Sequence, residues 1–380
     1  MMRLLRLSSG TMLALCLSAV CFGQQYKQTD LVSNGSDPDL TNPWGLSRGS
    51  GSPWWVSDNA TGLSTLYNGA GAKQGLVVTI PARVTGKTGS PTGTIFNGNP
   101  ADFWLAKGAQ AIFLFSTIDG TIAGWNPGVG LEKGQQPPST HAVTAAKGKE
   151  GSVYTGLTSA EVDGKSYLYA ANFGKGRVDV YNSAFEPVHF YSGPWEPKPF
   201  TDEFLPPEYV PFNVQAIGED IVVTYALHQP GMPVETDGPG LGYVDIYSAH
   251  GRLLRRLEHG DWLNAPWGVA LAPLDFGKFS HSLLVGQFAG GGTSESSGWI
   301  AAYNLTTGRF EGLLQDSKGK PLTIQGVWAL SPGNASPGNL DASASPAAEV
   351  YFTAGPNGGS GGLFGYLTAV SKDLVQGNDQ

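Results

Sequence analysis

Cysteine is almost absent from this chain. The two cysteines among 380 residues are Cys16 and Cys21, and both lie within a segment that we expect to be removed. The mature protein is therefore expected to lack disulfides, thiol catalysis and cysteine-bound zinc.

Charged residues are also scarce. They make up 14% of the chain, and 23 basic residues against 31 acidic ones give a formal net charge of -8. A nucleic-acid partner requires a basic surface, so this composition excludes one. The six histidines show no pair at metal-ligand spacing, and we predict no metal site from such a motif.

The chain has no apolar run long enough to span a bilayer. Its most apolar stretch, residues 11–20, follows Arg3 and Arg6 and precedes a cut expected before Gln24. Residues 1–23 therefore read as a signal peptide, which predicts a secreted or periplasmic protein without a transmembrane segment.

Helical periodicity of useful length is missing, and glycine-punctuated strands take its place. A glycine is followed five residues later by an aromatic or large apolar residue six times, at starts 58, 56, 66, 56 and 64 residues apart. The side chains between them alternate with the period of a strand. The six copies begin at Gly62, Gly120, Gly176, Gly242, Gly298 and Gly362.

Each copy is preceded by an apolar strand and, further upstream, by an element with a small residue at its third place. Crowding around an axis explains that small residue. In most units a fourth strand follows the aromatic residue. The upstream elements begin at Pro43, Pro91, Tyr154, Pro211, Pro266 and Ile324.

Six units of four antiparallel strands predict an all-β, six-bladed β-propeller. The last unit lacks its fourth strand, and we expect residues 26–33 to supply it and close the ring. The predicted organisation is a signal peptide (1–23), one propeller domain (24–372) and a short polar tail (373–380), and we expect a monomer. Two β-sandwiches would instead predict a linker near the middle, and the sequence shows none.

Loops that enter the innermost strand or leave the second strand lie on one face of a propeller, around the axis. Their amide, carboxylate and imidazole groups are the candidate ligand-binding residues, and their oxygens would suit Ca²⁺. Turn formation is the alternative explanation for each Asn or Asp. The candidates are Asn42, Asp58, Asn59, Asn172, His228, Asn264 and Gln287.

Two insertions accompany these loops. His228, a candidate general base, precedes the insertion at residues 229–240. A second insertion, residues 193–211, is rich in proline and aromatic residues, and we expect it on the same rim. It can be a lid or docking edge, or a loop packed over the ring.

The order of motifs resembles an uncharacterised family of exported bacterial β-propeller proteins, many of which carry a C-terminal PEP-CTERM sorting tail. The resemblance extends from about residue 26 to about residue 370 and rests on motifs such as Asn42-Pro-Trp-Gly-Leu-Ser and Pro266-Trp-Gly-Val. This chain lacks that tail. More distantly, the blades are similar to NHL repeats and to gluconolactonase-like propellers, whose resemblance implies a divalent cation on the axis.

Two functions follow as hypotheses, and whether the protein is an enzyme stays open. The first is a scaffold that binds a protein, glycan or small molecule at the rim around the axis. The second is a divalent-metal-dependent hydrolase or lyase of lactonase type, with Ca²⁺ as the possible cofactor.

Overall fold

Short strands joined by turns occupy most of the chain. The computed structural model describes residues 25–190, 193, 197–232, 234–289, 298–333 and 348–370. The expected signal peptide and polar tail lie outside these residues. No helix in the described ranges is both long and apolar enough to cross a membrane.

Six sheets of four antiparallel strands form the structure, so the predicted six-bladed β-propeller is confirmed. The first half of the chain contains β1 (Gln25–Ser33), β2 (Pro43–Ser47), β3 (Trp54–Asp58), β4 (Leu63–Tyr67), β5 (Val78–Thr79), β6 (Pro91–Phe96), β7 (Trp104–Ala106), β8 (Ala109–Gln110), β9 (Phe113–Thr117), β10 (Thr121–Trp125), β11 (Val143–Lys147), β12 (Tyr154–Val162), β13 (Lys165–Asn172), β14 (Arg177–Asn182) and β15 (Pro187–Val188).

The second half continues the same pattern. It contains β16 (Tyr209–Ile217), β17 (Asp220–Leu227), β18 (Gly242–Ser248), β19 (Leu253–Arg256), β20 (Pro266–Leu271), β21 (Leu283–Gln287), β22 (Ile300–Tyr303), β23 (Phe310–Leu313), β24 (Val327–Pro332), β25 (Val350–Ala354) and β26 (Leu363–Val370). Two 3-10 helices, Phe173–Lys175 and Gly277–Phe279, interrupt the strands.

From the axis outwards, blade 1 is β2-β3-β4-β5, blade 2 is β6-β9-β10-β11, and blade 3 is β12-β13-β14-β15. Blade 4 is β16-β17-β18-β19 and blade 5 is β20-β21-β22-β23. Strands β7 and β8 form a separate hairpin within blade 2.

The two ends of the described chain meet in blade 6, whose order is β24-β25-β26-β1. Strand β1 pairs antiparallel with β26, from Gln25 opposite Val370 to Ser33 opposite Leu363. The predicted closure by the N-terminal strand is therefore confirmed, and it leaves no unpaired edge between the last blade and the first.

Inner strands need small residues because neighbouring blades meet there. A Cβ atom on Gly45 would overlap the carbonyl oxygen of Thr92, and one on Gly268 would overlap that of Trp328. In blade 6 the inner strand begins at Val327, three residues later than the predicted alignment from Ile324. Ala329 therefore takes the place of these glycines, and Trp328 becomes equivalent to Trp44 and Trp267.

The glycines that lead the repeats serve two different purposes. Four of them have positive φ and turn the chain into the third strand, as expected: Gly62, Gly120, Gly176 and Gly298. The other two, Gly242 and Gly362, lack positive φ and are required by close approach. A Cβ atom would overlap Pro266 at Gly242 and the carbonyl oxygen of Leu40 at Gly362.

The large residues that end the repeats are buried between blades, and most use a polar atom there. The Tyr67 hydroxyl donates to Asp37 Oδ2 at 2.6 Å, and Trp125 Nε1 donates to the Ser139 carbonyl oxygen at 2.8 Å. The full set, all below 9% exposure, is Tyr67, Trp125, Tyr181, Tyr247, Tyr303 and Leu367.

Most of the described part of the insertion between blades 3 and 4 lies away from the rim where we expected it, and only its end, at Glu208, reaches His228 there. Within its described part, the Phe200 N–H donates to the Gly251 carbonyl oxygen at 2.8 Å. Gly251 follows Ser248, which pairs with Asp220 at the end of blade 4 opposite His228. Residues 197–205 thus run along the outer flank of blade 4, and Trp195 lies outside the described residues.

Candidate functional site

One end of the propeller axis is closed by aromatic side chains, which we call the axial cluster. Inner strands supply Trp44, Phe212, Trp267 and Trp328, and the loops that follow second strands supply Phe173 and Phe288. Trp328 stacks between Trp44 and Phe288 with ring centroids 3.6 Å apart on each side. All six side chains are buried, so no open channel passes through this level.

Indole N–H groups tie this cluster across the ring. Trp267 Nε1 of blade 5 donates to the Thr155 carbonyl oxygen of blade 3 at 2.9 Å, which crosses the axis past blade 4. Trp328 Nε1 donates to Asn42 Oδ1 at 3.0 Å. Trp44 Nε1 is buried and has no hydrogen-bond partner among the described residues. The cluster therefore joins the blades through hydrogen bonds as well as through apolar packing.

Asn42 and Asn59, two of the candidate ligand-binding residues, lie together at the edge of this cluster and are partly exposed. Asn42 Nδ2 donates to Asn59 Oδ1 at 3.3 Å, and Asn59 Nδ2 donates to the Pro91 carbonyl oxygen at 3.1 Å. Asn42 has a φ of 49°, a conformation that asparagine adopts more readily than most residues. The pair joins blades 6, 1 and 2, and its remaining surface faces solvent.

Asp58 is completely buried, although it lies at the end of a strand that points to this face. Its Oδ2 accepts from the Thr65 N–H at 3.0 Å and from the Thr65 hydroxyl at 2.8 Å. Its Oδ1 has no hydrogen-bond partner among the described residues. Burial raises the pKa of Asp58 well above its usual value.

Three further candidates are also completely buried. Asn172 Nδ2 donates to Asp179 Oδ2 at 2.7 Å and to Ser152 Oγ at 3.0 Å. Gln287 Oε1 accepts from the Asn264 N–H at 2.9 Å. These amides hold loops of the face in place, as the turn-forming alternative predicts.

His228 is partly exposed and rests on the axial cluster. Its ring lies 4.4 Å from that of Phe173, and its Nε2 is 2.9 Å from the Met232 carbonyl oxygen. Its backbone N–H donates to the Glu208 carbonyl oxygen at 2.8 Å. His228 is thus fixed at the start of the 229–241 loop.

Two carboxyl groups in that loop, Glu235 and Asp237, join the candidate site without having been predicted. Burial raises the pKa of Glu235 to about 7 and that of Asp237 to about 6. Asp237 Oδ1 is buried without a hydrogen-bond partner among the described residues. The adjacent Gly238 N–H donates to Asn264 Oδ1 at 2.8 Å, which anchors the loop beside the axial cluster.

The sequence contained one signal for these groups, because acidic residues alternate in Glu235-Thr236-Asp237 within an insertion next to His228. Thr236 forms a bridge with Leu227, so this part of the insertion lies alongside the end of β17. A group able to exchange protons near neutral pH therefore lies close to the only candidate histidine.

Across the described ranges, no group of three or more His, Cys, Asp or Glu side chains has the arrangement of a metal site. The candidate residues that the structure brings onto the exposed face are Asn42, Asn59 and His228. Asp58, Asn172, Asn264 and Gln287 support that face from beneath.

Comparison with known proteins identifies viral proteins of similar sequence and solved structures with a similar fold. No family model matches the chain. Two uncharacterized proteins of Acanthamoeba polyphaga mimivirus are each 29% identical over 366 residues, which span 92% of this chain and 81% or 87% of theirs. These relatives are viral, whereas the sequence resemblance had suggested bacterial ones.

The PQQ-bound aldose sugar dehydrogenase of Streptomyces coelicolor is similar in structure. Its TM-score is 0.51 at 13% identity, over 92% of this chain and 99% of that one. At this identity the similarity shows a shared propeller fold alone.

Proposed function

We propose that this protein is an exported, monomeric propeller that binds a glycan or another polar small molecule on the face sealed by the axial cluster. The observation that carries the proposal is the contact of His228 with Phe173 of the axial cluster, together with Glu235 and Asp237 in the loop that pairs beside it. A closed floor gives a ligand a surface to lie on, where an open channel would let solvent through. Export is inferred from the pattern of residues 1–23.

The chemistry of this face favours a ligand rich in hydroxyl groups. Asn42 and Asn59 carry amides, His228 carries an imidazole, and Glu235 and Asp237 carry carboxyls whose raised pKa values keep part of the population neutral near pH 7. Such groups both donate and accept hydrogen bonds.

The test is binding of the fluorescently labelled protein to an oligosaccharide array, followed by titration of the strongest member. The double substitution His228→Ala with Glu235→Gln is expected to weaken that binding by roughly tenfold or more, since two hydrogen-bonding groups are lost. The matched control is His250→Ala with Glu161→Gln, which changes the same residue types at the opposite end of the blades. Absence of any binding, or equal weakening in both pairs, would contradict the proposal.

The metal-dependent hydrolase or lyase is the second candidate, and it rests on the similarity to gluconolactonase-like propellers. Thermal melting with calcium chloride and with a chelator separates the two functions. The binding-scaffold proposal expects equal melting temperatures. A melting temperature that rises with calcium would favour the enzyme, because a ligand that binds the folded state stabilises it.

A further inference from the structure

A groove on the outer side of blade 3 arises because the outermost strand of this blade is short. Strand β14 has six residues, whereas β15 pairs only with Val180 and Tyr181. No described strand pairs with the outer edge of Arg177, Val178 and Asp179. This uncovered edge, the end of β11 and residues 198–201 enclose a cavity of about 440 Å³, which we call the outer groove.

The outer groove is positively charged in a negatively charged protein. Lys147, Lys149, Arg177 and Lys198 line it, and Asp179 is the only acidic residue among the described residues of its lining. Over the whole chain, acidic residues outnumber basic ones by 31 to 23. Like charges gathered in a concavity repel one another and focus an attractive field on an anion.

The carboxylate of Asp179 already accepts hydrogen bonds from other side chains of the protein. Asp179 accepts from Arg177 Nε at 2.6 Å, from the Tyr154 hydroxyl at 2.9 Å and from Asn172 Nδ2 at 2.7 Å. Lys147 Nζ donates to the Arg83 carbonyl oxygen at 3.0 Å. Lys149 and Lys198 are exposed and form no ion pair with any described residue.

Part of the remaining wall of the outer groove is apolar and firmly held, beside the polar residues His189 and Thr201. Val178, Val188, Phe190 and Pro199 contribute aliphatic and aromatic surface. The wall that carries Lys198 and Pro199 is fixed by Phe200, which is buried against Tyr169 and Tyr247. A pocket of this volume with apolar surface and a charged rim fits a small molecule that has one apolar part and one charged part.

We propose that the outer groove binds a small organic anion with an apolar body, a carboxylate carried on a short alkyl or aryl chain. The carboxylate lies between Lys149 and Lys198, and the apolar body contacts Val188 and Phe190. This site is separate from the face proposed above for a polar ligand, so either proposal can fail without the other.

The test uses calorimetric titration of the full protein with sodium octanoate and with octylammonium chloride at low ionic strength. Octanoate is expected to bind, octylammonium is not, and added salt is expected to weaken octanoate binding. The variant Lys149→Glu with Lys198→Glu is expected to lose about tenfold or more in octanoate affinity. The milder pair Lys149→Gln with Lys198→Gln is expected to lose less octanoate affinity. It replaces the first variant in the test if charge reversal impairs folding.

The control, Lys107→Glu with Lys165→Glu, makes the same change in net charge at exposed lysines outside the outer groove. It is expected to bind octanoate within about twofold of the original protein when both are titrated at about 0.15 M salt, where exposed charges more than about 8 Å from the site are screened. Failure of octanoate to bind, equal affinity in the groove variants, or equal loss in the control would each overturn the proposal.

Discussion

Individual buried side chains carry much of the specificity of this propeller. Trp328 is the middle ring of a three-ring stack, between Trp44 and Phe288. Its indole N–H also donates to Asn42, so the side chain combines packing with a directed hydrogen bond. A ring packed on both faces leaves a large void when it is removed, because the surrounding strands cannot collapse onto the axis. Its contribution to stability should therefore be large.

We predict that Trp328→Ala lowers the free energy of unfolding by about 3–5 kcal/mol, the usual cost of truncating a buried tryptophan. Denaturant unfolding measures this change. Trp104→Ala is the control, because Trp104 is 45% exposed and should cost less than about 1 kcal/mol. Similar losses for both variants would show that the axial cluster is not packed as described.

A buried acidic pair between residues 197–205 and blade 4 gives a second prediction at this scale. Asp202 and Asp245 are both fully buried beside Arg256, whose Nε donates to Asp202 Oδ2 at 2.7 Å and lies 3.7 Å from Asp245 Oδ1. Burial, with the charge of Asp202, raises the pKa of Asp245 to about 8. The folded protein thus keeps a proton on Asp245 that the unfolded chain releases near pH 4.

Stability should therefore fall as the pH rises from about 4 to about 8, because over this range the folded state binds the extra proton. Asp245→Asn removes that proton uptake, and its stability relative to the original protein should rise with pH by up to about 1.4 kcal/mol per pH unit. Unfolding in denaturant at pH 5 and pH 8 measures the difference. The exposed-site control Asp275→Asn should show no such pH dependence, and a flat difference for Asp245→Asn would refute the assignment.

At the scale of elements, tight turns connect strands whose neighbours leave no room for a side chain. Gly120 combines a φ of 71° with a position where a Cβ atom would overlap the Ser152 carbonyl oxygen of the next blade. Gly86 has a similar φ of 77°, yet nothing lies within 4 Å of its Cβ position. Substitutions at these two glycines therefore distinguish the cost of backbone strain alone from the cost of strain combined with crowding.

We expect Gly86→Ala to cost about 1 kcal/mol, the strain of an L residue at positive φ. Gly120→Ala should cost at least about 1–3 kcal/mol more, because overpacking adds to the same strain. Thermal or denaturant unfolding of the two variants measures the gap. Equal losses would mean that blades 2 and 3 are further apart at this turn than the structure shows.

The regular spacing of strands and glycines explains why the blades could be predicted from the sequence and why the alignment of blade 6 could not. Strand alternation and the spacing of Gly62, Gly120 and Gly176 follow directly from pleating and turn chemistry. The alignment of blade 6 was three residues off because a glycine, Gly326, was matched to Gly45 when Ala329 occupies that place. Matching the tryptophans would have placed Trp328 beside Trp44 and Trp267 and predicted the axial cluster.

The candidate site was less predictable, because burial depends on contacts between residues far apart in sequence. Asn42 precedes an inner strand and Asn172 ends a second strand, and both were candidates on the same face, yet only Asn172 is enclosed, by Asp179 and Ser152. Glu235 was missed since its raised pKa comes from burial, which the sequence does not show. The outer groove depends on the length of β15, which sequence patterns define poorly.

For the whole molecule, closure by β1 joins the ends of the chain into one cooperative ring. Tyr26 secures this strand, since its hydroxyl donates to the Phe276 carbonyl oxygen at 3.0 Å and its ring packs on Phe276 and Phe279 of blade 5. Closure therefore depends on contacts with blade 5 as well as on pairing with β26.

We predict that a chain beginning at Asn34 loses cooperative unfolding or associates through the exposed edge of β26, whereas a chain beginning at Gln25 behaves like the original. Calorimetry and light scattering of the two chains test this. A monomeric, equally stable product from the shorter chain would contradict closure by β1.

The proposed binding face requires an axis sealed by the axial cluster, and hydrogen exchange of indole N–H groups tests that seal directly. In heteronuclear NMR spectra recorded after transfer to D₂O, the indole signals of Trp44, Trp267 and Trp328, assigned with Trp→Phe variants, should persist. The signal of half-exposed Trp104 should vanish first. If the three axial indoles exchange as fast as Trp104, the axis is open to water and the sealed binding face does not exist.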